Sequence, residues 1–430
     1  MHYMKKVAQK ETSTVLKKNI GWQYLLQIAI YIFPFITLPY LTRVLGPDEY
    51  AVRAYSISVM NLLMAIVSFG FNSYGTREVA RYRNDLDKLR SLTTSIFFQR
   101  LLLSLVTGLI LLVLIPNIPI MAENPEYMII SYLSMILTAM LPDFVFQGLE
   151  DMSILTKRFV VSRLVSLVLI FAFIHGPNQL VLVAVFEAVP SLIAFVWSWI
   201  EVVRKRKITL HIKLFQPKEA WNVFKTSAVF FLSSASTTIL SNFTTLMIGI
   251  YIMDQADISY WSLAITCIAA VQGLYNPIYN SIYPHVAANR NFGIIKKFLL
   301  VGIPVVVVGV FLLIILAPFV MWVLGGSEYL AGSIVLQALA PLLLFSYPAV
   351  LIGFPILAVI NKEKLLTASS VAAAVFQIAG LFFLVAINGF TIVNVAILRC
   401  LAEFMMLLFR AIFVLKSRKL LHAEPSSDQA

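Results

Sequence analysis

Several ionisable side chains fall inside long apolar runs of this chain, where each costs roughly 2.5–3.5 kcal/mol to insert and therefore needs a reason. Arg100 lies about nine residues into the run 92–115, about 13 Å deep at 1.5 Å per residue. A cation at that depth is expected to line a water-filled cavity. Arg399 is similarly deep and has Glu403 at the i,i+4 spacing that allows pairing, which leaves a structural ion pair and a substrate contact both open. Glu187, at comparable depth, shows no partner in its own run. It is the candidate to carry a coupling proton, the alternative being a pairing with an arginine on another helix. Arg163 and Asp143 sit nearer the ends of their runs, where snorkelling explains them. Arg53 stands at the mouth of the second run, open between cavity and headgroup contact, and Lys225 reads as an interfacial anchor.

Amides extend the set. Gln23 and Gln27 are one helical turn apart, Asn61 lies on a stripe with Ser58, Ser68 and Asn72, and Asn242 borders the hydroxyl-rich run "FLSSASTTILSNFTTL". Gln272 and Asn276 repeat the one-turn spacing later. Ser and Thr are explained by close helix packing, but an unpaired amide in lipid is expensive. These amides are expected to line a cavity.

Other chemistries are absent from the pattern. The five histidines are scattered, with no metal-ligand spacing. No Gly-rich phosphate loop or nucleophile elbow occurs. Cys267 and Cys400 lie in apolar runs and read as packing residues. No metal, cofactor or nucleic-acid partner is expected, and no enzymatic activity.

The elements that carry these residues follow from composition. Of 430 residues, 60% are apolar and 13% charged, with a mean hydropathy of +0.87. A soluble chain keeps roughly a quarter of its residues charged, so this is an all-α polytopic membrane protein. A spanning helix needs about 20 apolar residues. That template predicts twelve spans at 20–42, 51–72, 92–115, 127–149, 157–175, 179–203, 220–251, 257–283, 294–324, 330–360, 364–387 and 391–415. The Lys/Arg clusters all fall on alternate connections, including the tail "MHYMKKVAQKETSTVLKKN", the stretch "FGFNSYGTREVARYRNDLDKLR" and "RKRKITLHIKLFQPK". The opposite connections "PNIPIMAENPE", "HGPNQ", "MDQAD", "GGSEY" and "NGF" contain neither residue. By the positive-inside rule both termini are cytoplasmic; only Arg43 and Arg53 break the alternation. The net charge of +12 is thus topological first.

The polar connection 204–219 divides the chain into a six-helix lobe at 1–203 and another at 220–430. Each starts in the cytoplasm, so they are expected to be parallel repeats. "NSYGTREVARYRN" after the second span is echoed, with a gap, by "NSIYPHVAANRN" after the eighth. Helices 1, 2, 7 and 8 are then equivalent pairs whose polar faces would line one central cavity. Pro34 and Pro39, and Pro341, Pro348 and Pro355, invite kinks that suit alternating access.

Four motifs resemble a known family. "LPYLTRVLGPDEYAV", "FGFNSYGTREVARYRND", "PDFVFQGLEDM" and "NKEK" are similar, in order and placement, to those of Wzx-type lipid-linked oligosaccharide flippases. These belong to the polysaccharide-transport branch of the MATE/MOP superfamily. The resemblance implies two lobes around a cavity open to one side at a time, in the bacterial cytoplasmic membrane. It also implies an undecaprenyl-diphosphate-linked repeat unit as cargo, moved to the outer leaflet for cell-surface polysaccharide (O-antigen or capsule) synthesis. Membrane lipids, a proton or sodium gradient and the polysaccharide polymerase machinery are the other candidate partners. Arg53, Arg100, Arg163 and Arg399 would meet the anionic diphosphate, since Arg presents a fork of donors. Arg77, Arg81 and Arg83 would stand at the cytoplasmic gate. The alternative is a MATE-like ion-coupled small-molecule antiporter, which would want carboxylates inside helices 1, 2, 7 and 8; none is there.

Overall fold

The computed structural model describes residues 2–417 except 253, 276–277, 280–281, 284–285, 287–289, 291 and 361. The described residues are α-helical, with no strand among them. They form two compact units that meet in sequence at Ala235 and Ser236.

In the first unit, α1 (His2–Ser68) carries the first two expected spans on one backbone, interrupted at Gly46 with φ 73° and ψ 175°. Glycine adopts that positive φ without a Cβ penalty, and Pro47 restarts the helix where a missing N–H costs nothing. The connection expected at 43–50 is therefore a single-residue break. The apolar stretch Gly21–Arg81 is 61 residues long. Unbroken it would measure about 90 Å, roughly three times the hydrocarbon core, so one crossing cannot contain it.

A second break follows at Phe69 and Gly70, with φ of 37° and 74°. A bulky side chain in the left-handed region is strained. Here the Phe69 ring is held by stacking on Phe224 at 4.1 Å and Phe231 at 4.6 Å. Then come α2 (Phe71–Arg81), α3 (Leu86–Asn117), α4 (Pro119–Ala122), α5 (Pro125–Ala139) and α6 (Asp143–Gly148). The fourth expected span is thus split ahead of Pro142. Next are α7 (Met152–Phe173) and α8 (Leu180–Ile200), which continues through a π turn at Glu201–Lys205. The helix α9 (Pro217–Thr238) leads towards the second unit.

The core of the first unit is the crossing of α2 on α6, built from Phe71, Val79, Ile96, Phe144, Val145 and Phe146. It depends on glycine. A Cβ on Gly148 would stand 2.6 Å from Val79 Cβ and 2.8 Å from the Thr76 carbonyl. Two of the four recognised motifs meet here, bridged also by Thr76 and Gln147 at 3.1 Å.

The second unit continues from α9 through a π turn at Ile239–Phe243 into α10 (Thr244–Tyr251), followed by α11 (Gln255–Gly273) and α12 (Gly293–Gly325). Then come α13 (Ser333–Leu339), α14 (Leu342–Ile352) with a π turn at Gly353–Ala358, α15 (Glu363–Ala386) and α16 (Ile392–Lys416). Its core uses small residues, Ala349, Ala373, Ala374 and Ala402 with Leu240 and Met406, which let helices approach closely in lipid. By contrast α12 exposes Leu300, Val305, Phe311 and Leu316 along its length, as a lipid-facing helix does.

Seven helical stretches are individually long and apolar enough to cross a membrane, or eight if the bent pair Ser327–Leu339 and Leu342–Ala358 counts as one span. The chain is a multi-pass membrane protein.

Candidate functional site

The side chains that the sequence marks as costly come together in part. In the first unit Arg53 donates both Nε and Nη2 to Oε1 of Glu187, at 2.9 and 2.7 Å. Side-chain exposures of 14% and 24% leave this pair within reach of a ligand. Arg163 on α7 joins it: its charge acts on both partners, and its guanidinium lies over the Phe159 ring at 5.6 Å. Arg163 is exposed and makes no hydrogen bond or ion pair among the described residues. Tyr50, 5.5 Å from the Arg53 guanidinium, and the buried Tyr127 complete the surroundings. Three helices besides α8 therefore converge on Glu187: α1 with Arg53 and Tyr50, α5 with Tyr127, and α7 with Arg163. Two guanidiniums against one carboxylate leave one positive charge in excess, an arrangement suited to a phosphate or carboxylate ligand. Glu187 has a partner on another helix, which is the pairing that sequence inspection left open.

Arg100 is elsewhere. It is 3% exposed and donates Nη1 to the Leu141 carbonyl at 2.9 Å and Nη2 to Asn72 Oδ1 at 2.8 Å. It joins α3 to α2 and to the break between α5 and α6, packed on the Phe144 ring. A water-filled surrounding, expected from its depth, is not what it has: its depth is accommodated by acceptors exposed at a helix break. Asp143 is half-buried, 2.8 Å from Nη1 of the buried Arg158, which also donates to Ser198 Oγ at 2.5 Å. The snorkelling expected of Asp143 is therefore replaced by a charge partner.

In the second unit Arg399 and Glu403 form the i,i+4 pair at 2.9 Å, both buried. Arg410, one of the functional-looking residues that sequence reading passed over, donates to the Ala349 carbonyl at 2.8 Å and to Ser369 and Ser370 at 3.2 Å each. Its signal was legible, a cation five residues inside the end of the run 391–415. All its acceptors are neutral, so it ties α14, α15 and α16 together.

The amides are dispersed. Gln23, Gln27 and Asn61 are exposed on α1. Asn242, half-buried in the π turn, donates to the Thr238 carbonyl at 3.2 Å. Gln272 is half-buried on α11, and Asn276 lies outside the described residues. On α2, Arg77 and Arg81 are exposed and share buried Glu78, at 3.1 and 4.0 Å, while Arg83 is exposed beyond the helix end. The start of α3 is tied to the connection 204–219 by Arg90 donating to the Lys207 carbonyl at 3.0 Å and Ser91 to Glu219 at 2.9 Å.

A family model described as "Polysaccharide biosynthesis protein" matches residues 16–290. Two relatives, each named "Putative O-antigen transporter", are both 27% identical to this chain. The one from Escherichia coli (strain K12) aligns over 92% of this chain and 96% of its own length. The one from Shigella dysenteriae aligns over 87% and 94%. Among solved structures, the lipid II flippase MurJ in an inward closed conformation superposes with a TM-score of 0.71 at 15% identity, over 93% of this chain and 89% of that one. A multidrug resistance MATE family transporter of the MOP superfamily, inward-facing, gives 0.68 at 14% identity, over 93% and 94%. The fold is that of the MATE/MOP transporters.

Proposed function

This chain belongs to the polysaccharide biosynthesis protein family, and on that premise we propose that it is a Wzx-type flippase of lipid-linked oligosaccharides. Its cargo is an undecaprenyl-diphosphate-linked repeat unit, carried from the cytoplasmic to the outer leaflet by alternating access of two six-helix halves. The observation that carries this reading is the cluster of Arg53, Arg163 and Glu187, a partly exposed site inside membrane helices with one positive charge in excess. Such a site suits the diphosphate of a lipid-linked glycan and repels a cationic drug, so it favours a flippase over a MATE-like antiporter. The names of the relatives and the likeness to a lipid II flippase agree with it. Arg77, Arg81 and Arg83 are placed by this reading at the cytoplasmic gate, where the headgroup is first met.

The test is a deletion in the native host, followed by extraction of lipid-linked oligosaccharides and a surface-glycan stain. The expected outcome is loss of surface glycan with undecaprenyl-linked repeat units accumulating on the cytoplasmic side. Intact surface glycan together with altered drug susceptibility would instead establish the antiporter.

A further inference from the structure

The connection 204–219, which by sequence is a polar link between lobes, is laid down on the first unit. It leaves the end of one apolar spanning stretch, Pro177–Lys205, and runs past the start of another, Leu86–Asn117. Two side chains at that start hold it. Arg90 donates to the Lys207 carbonyl at 3.0 Å, and Ser91 donates to the Leu214 carbonyl at 3.3 Å. Ile208 is buried, with its N–H donating to the Val202 carbonyl at 3.1 Å. The Phe215 ring meets Phe98 edge-on at 5.8 Å. A segment pinned against the ends of two membrane helices lies beside the lipid headgroups and not out in solvent.

Residues 204–225 contain seven Lys and Arg side chains and one carboxylate, Glu219. The carboxylates within reach are taken. Glu219 accepts from Ser91 at 2.9 Å, Asp151 pairs with Arg206, and the buried Glu201 pairs with Lys205 at 2.7 Å. Arg204, Lys207, Lys218 and Lys225 are exposed and make no ion pair among the described residues. Two large apolar side chains stand among them, Ile212 at 72% exposure and Trp221 at 65%. On α9, Lys218, Trp221 and Lys225 share one face at the i, i+3, i+7 spacing, while Ala220, Val223 and Ser227 are buried. Cations alone suit any polyanion. Cations interleaved with exposed Ile and Trp suit phosphates that lie directly above hydrocarbon, where an indole settles at headgroup level. We propose that the connection and the first turns of α9 form a docking surface for anionic phospholipid headgroups. Arg204, Lys207, Lys218 and Lys225 meet the phosphates, and Ile212 and Trp221 enter the boundary with the acyl chains. This surface is separate from the cluster of Arg53, Arg163 and Glu187, and its assignment does not rest on the flippase reading.

The test titrates phosphatidylglycerol or phosphatidylcholine into the full-length protein in dodecylmaltoside micelles. Tryptophan emission is the readout, with the Trp221→Phe signal subtracted to isolate Trp221. Each Lys or Arg at an anionic surface is worth about fivefold in affinity. The wild type should therefore respond to phosphatidylglycerol at a lipid fraction at least roughly tenfold lower than to phosphatidylcholine, in about 0.1 M salt. In about 1 M salt, where the screening length falls to about 3 Å, most of that preference should vanish. Lys218→Gln should raise the phosphatidylglycerol midpoint by up to about fivefold. Changing Arg204, Lys207, Lys218 and Lys225 together to Gln should leave the two lipids alike. Ile212→Ser should weaken both lipids equally, since it removes apolar contact without charge. Equal midpoints for the two lipids in the wild type, or a preference that survives the combined change, overturns the proposal. So does a lipid-dependent emission change that persists in Trp221→Phe, which places the lipid elsewhere. Gel-filtration profiles matching wild type establish that each variant is folded, and the salt titration of the wild type decides the point without any variant.

Discussion

Replacing Arg100 by Met separates a residue that holds helices together from one that holds cargo. Met keeps the length and the apolar packing on Phe144 but removes the two donated hydrogen bonds, 2.9 Å to the Leu141 carbonyl and 2.8 Å to Asn72. Hydrogen bonds between helices in membrane proteins contribute roughly 0.6–1.7 kcal/mol each, so two correspond to about 1–3 kcal/mol. Unfolding in mixed dodecylmaltoside and SDS micelles, followed by tryptophan fluorescence, measures this directly. Combining Arg100→Met with Asn72→Ala should cost less than the sum of the two, because the second change removes a contact already lost. Arg100→Lys should recover only part, since one ammonium cannot reproduce a fork directed at two acceptors. Glycan export should fall only in proportion to the folded protein that remains. Arg100→Met with wild-type stability and no export would refute this reasoning and return Arg100 to the cargo path.

Three further outcomes follow from the packing and the charge pattern. Gly148→Ala should destabilise the first unit by roughly 1–3 kcal/mol in the same unfolding assay, because its Cβ would meet Val79 at 2.6 Å and the Thr76 carbonyl at 2.8 Å. Adding Val79→Ala should relieve only part, since the backbone contact persists; unchanged stability of Gly148→Ala would mean that α2 and α6 do not cross so tightly. Glu403→Gln should cost about 3–5 kcal/mol by leaving Arg399 buried without its counter-charge, and the double change with Arg399→Met should recover most of it. A Glu403→Gln protein of normal stability and lost transport would make the pair a functional one. Alkaline phosphatase fusions after Gly176 and after Gly326 should be active outside the cytoplasm, and a cytoplasmic signal from either would overturn the twelve-span topology with both termini inside.

Part of this protein is determined by sequence alone. The scarcity of charge and the length of the apolar runs dictate membrane helices, because a backbone in lipid must satisfy its own hydrogen bonds. The cost of burying charge makes Arg53, Arg100, Arg163, Glu187, Arg399 and Glu403 stand out. It marked Arg410 equally, where the reading missed it. The pair Arg399 and Glu403 was legible because it is local, one turn apart on α16. What periodicity cannot encode is the partner supplied by a distant segment. Arg53 and Glu187 are separated by 134 positions, and only the convergence of α1, α5, α7 and α8 makes them a site. Arg100 illustrates the same limit in reverse. Its depth suggested water, whereas the α5–α6 break ahead of Pro142 presents a carbonyl for it to bind. Likewise Gly75 and Gly148 read as unremarkable members of two motifs, until the crossing of α2 on α6 leaves no room for a Cβ at either position. Charge and hydropathy set the price of placing each residue in the membrane; the tertiary structure decided which neighbour offsets it.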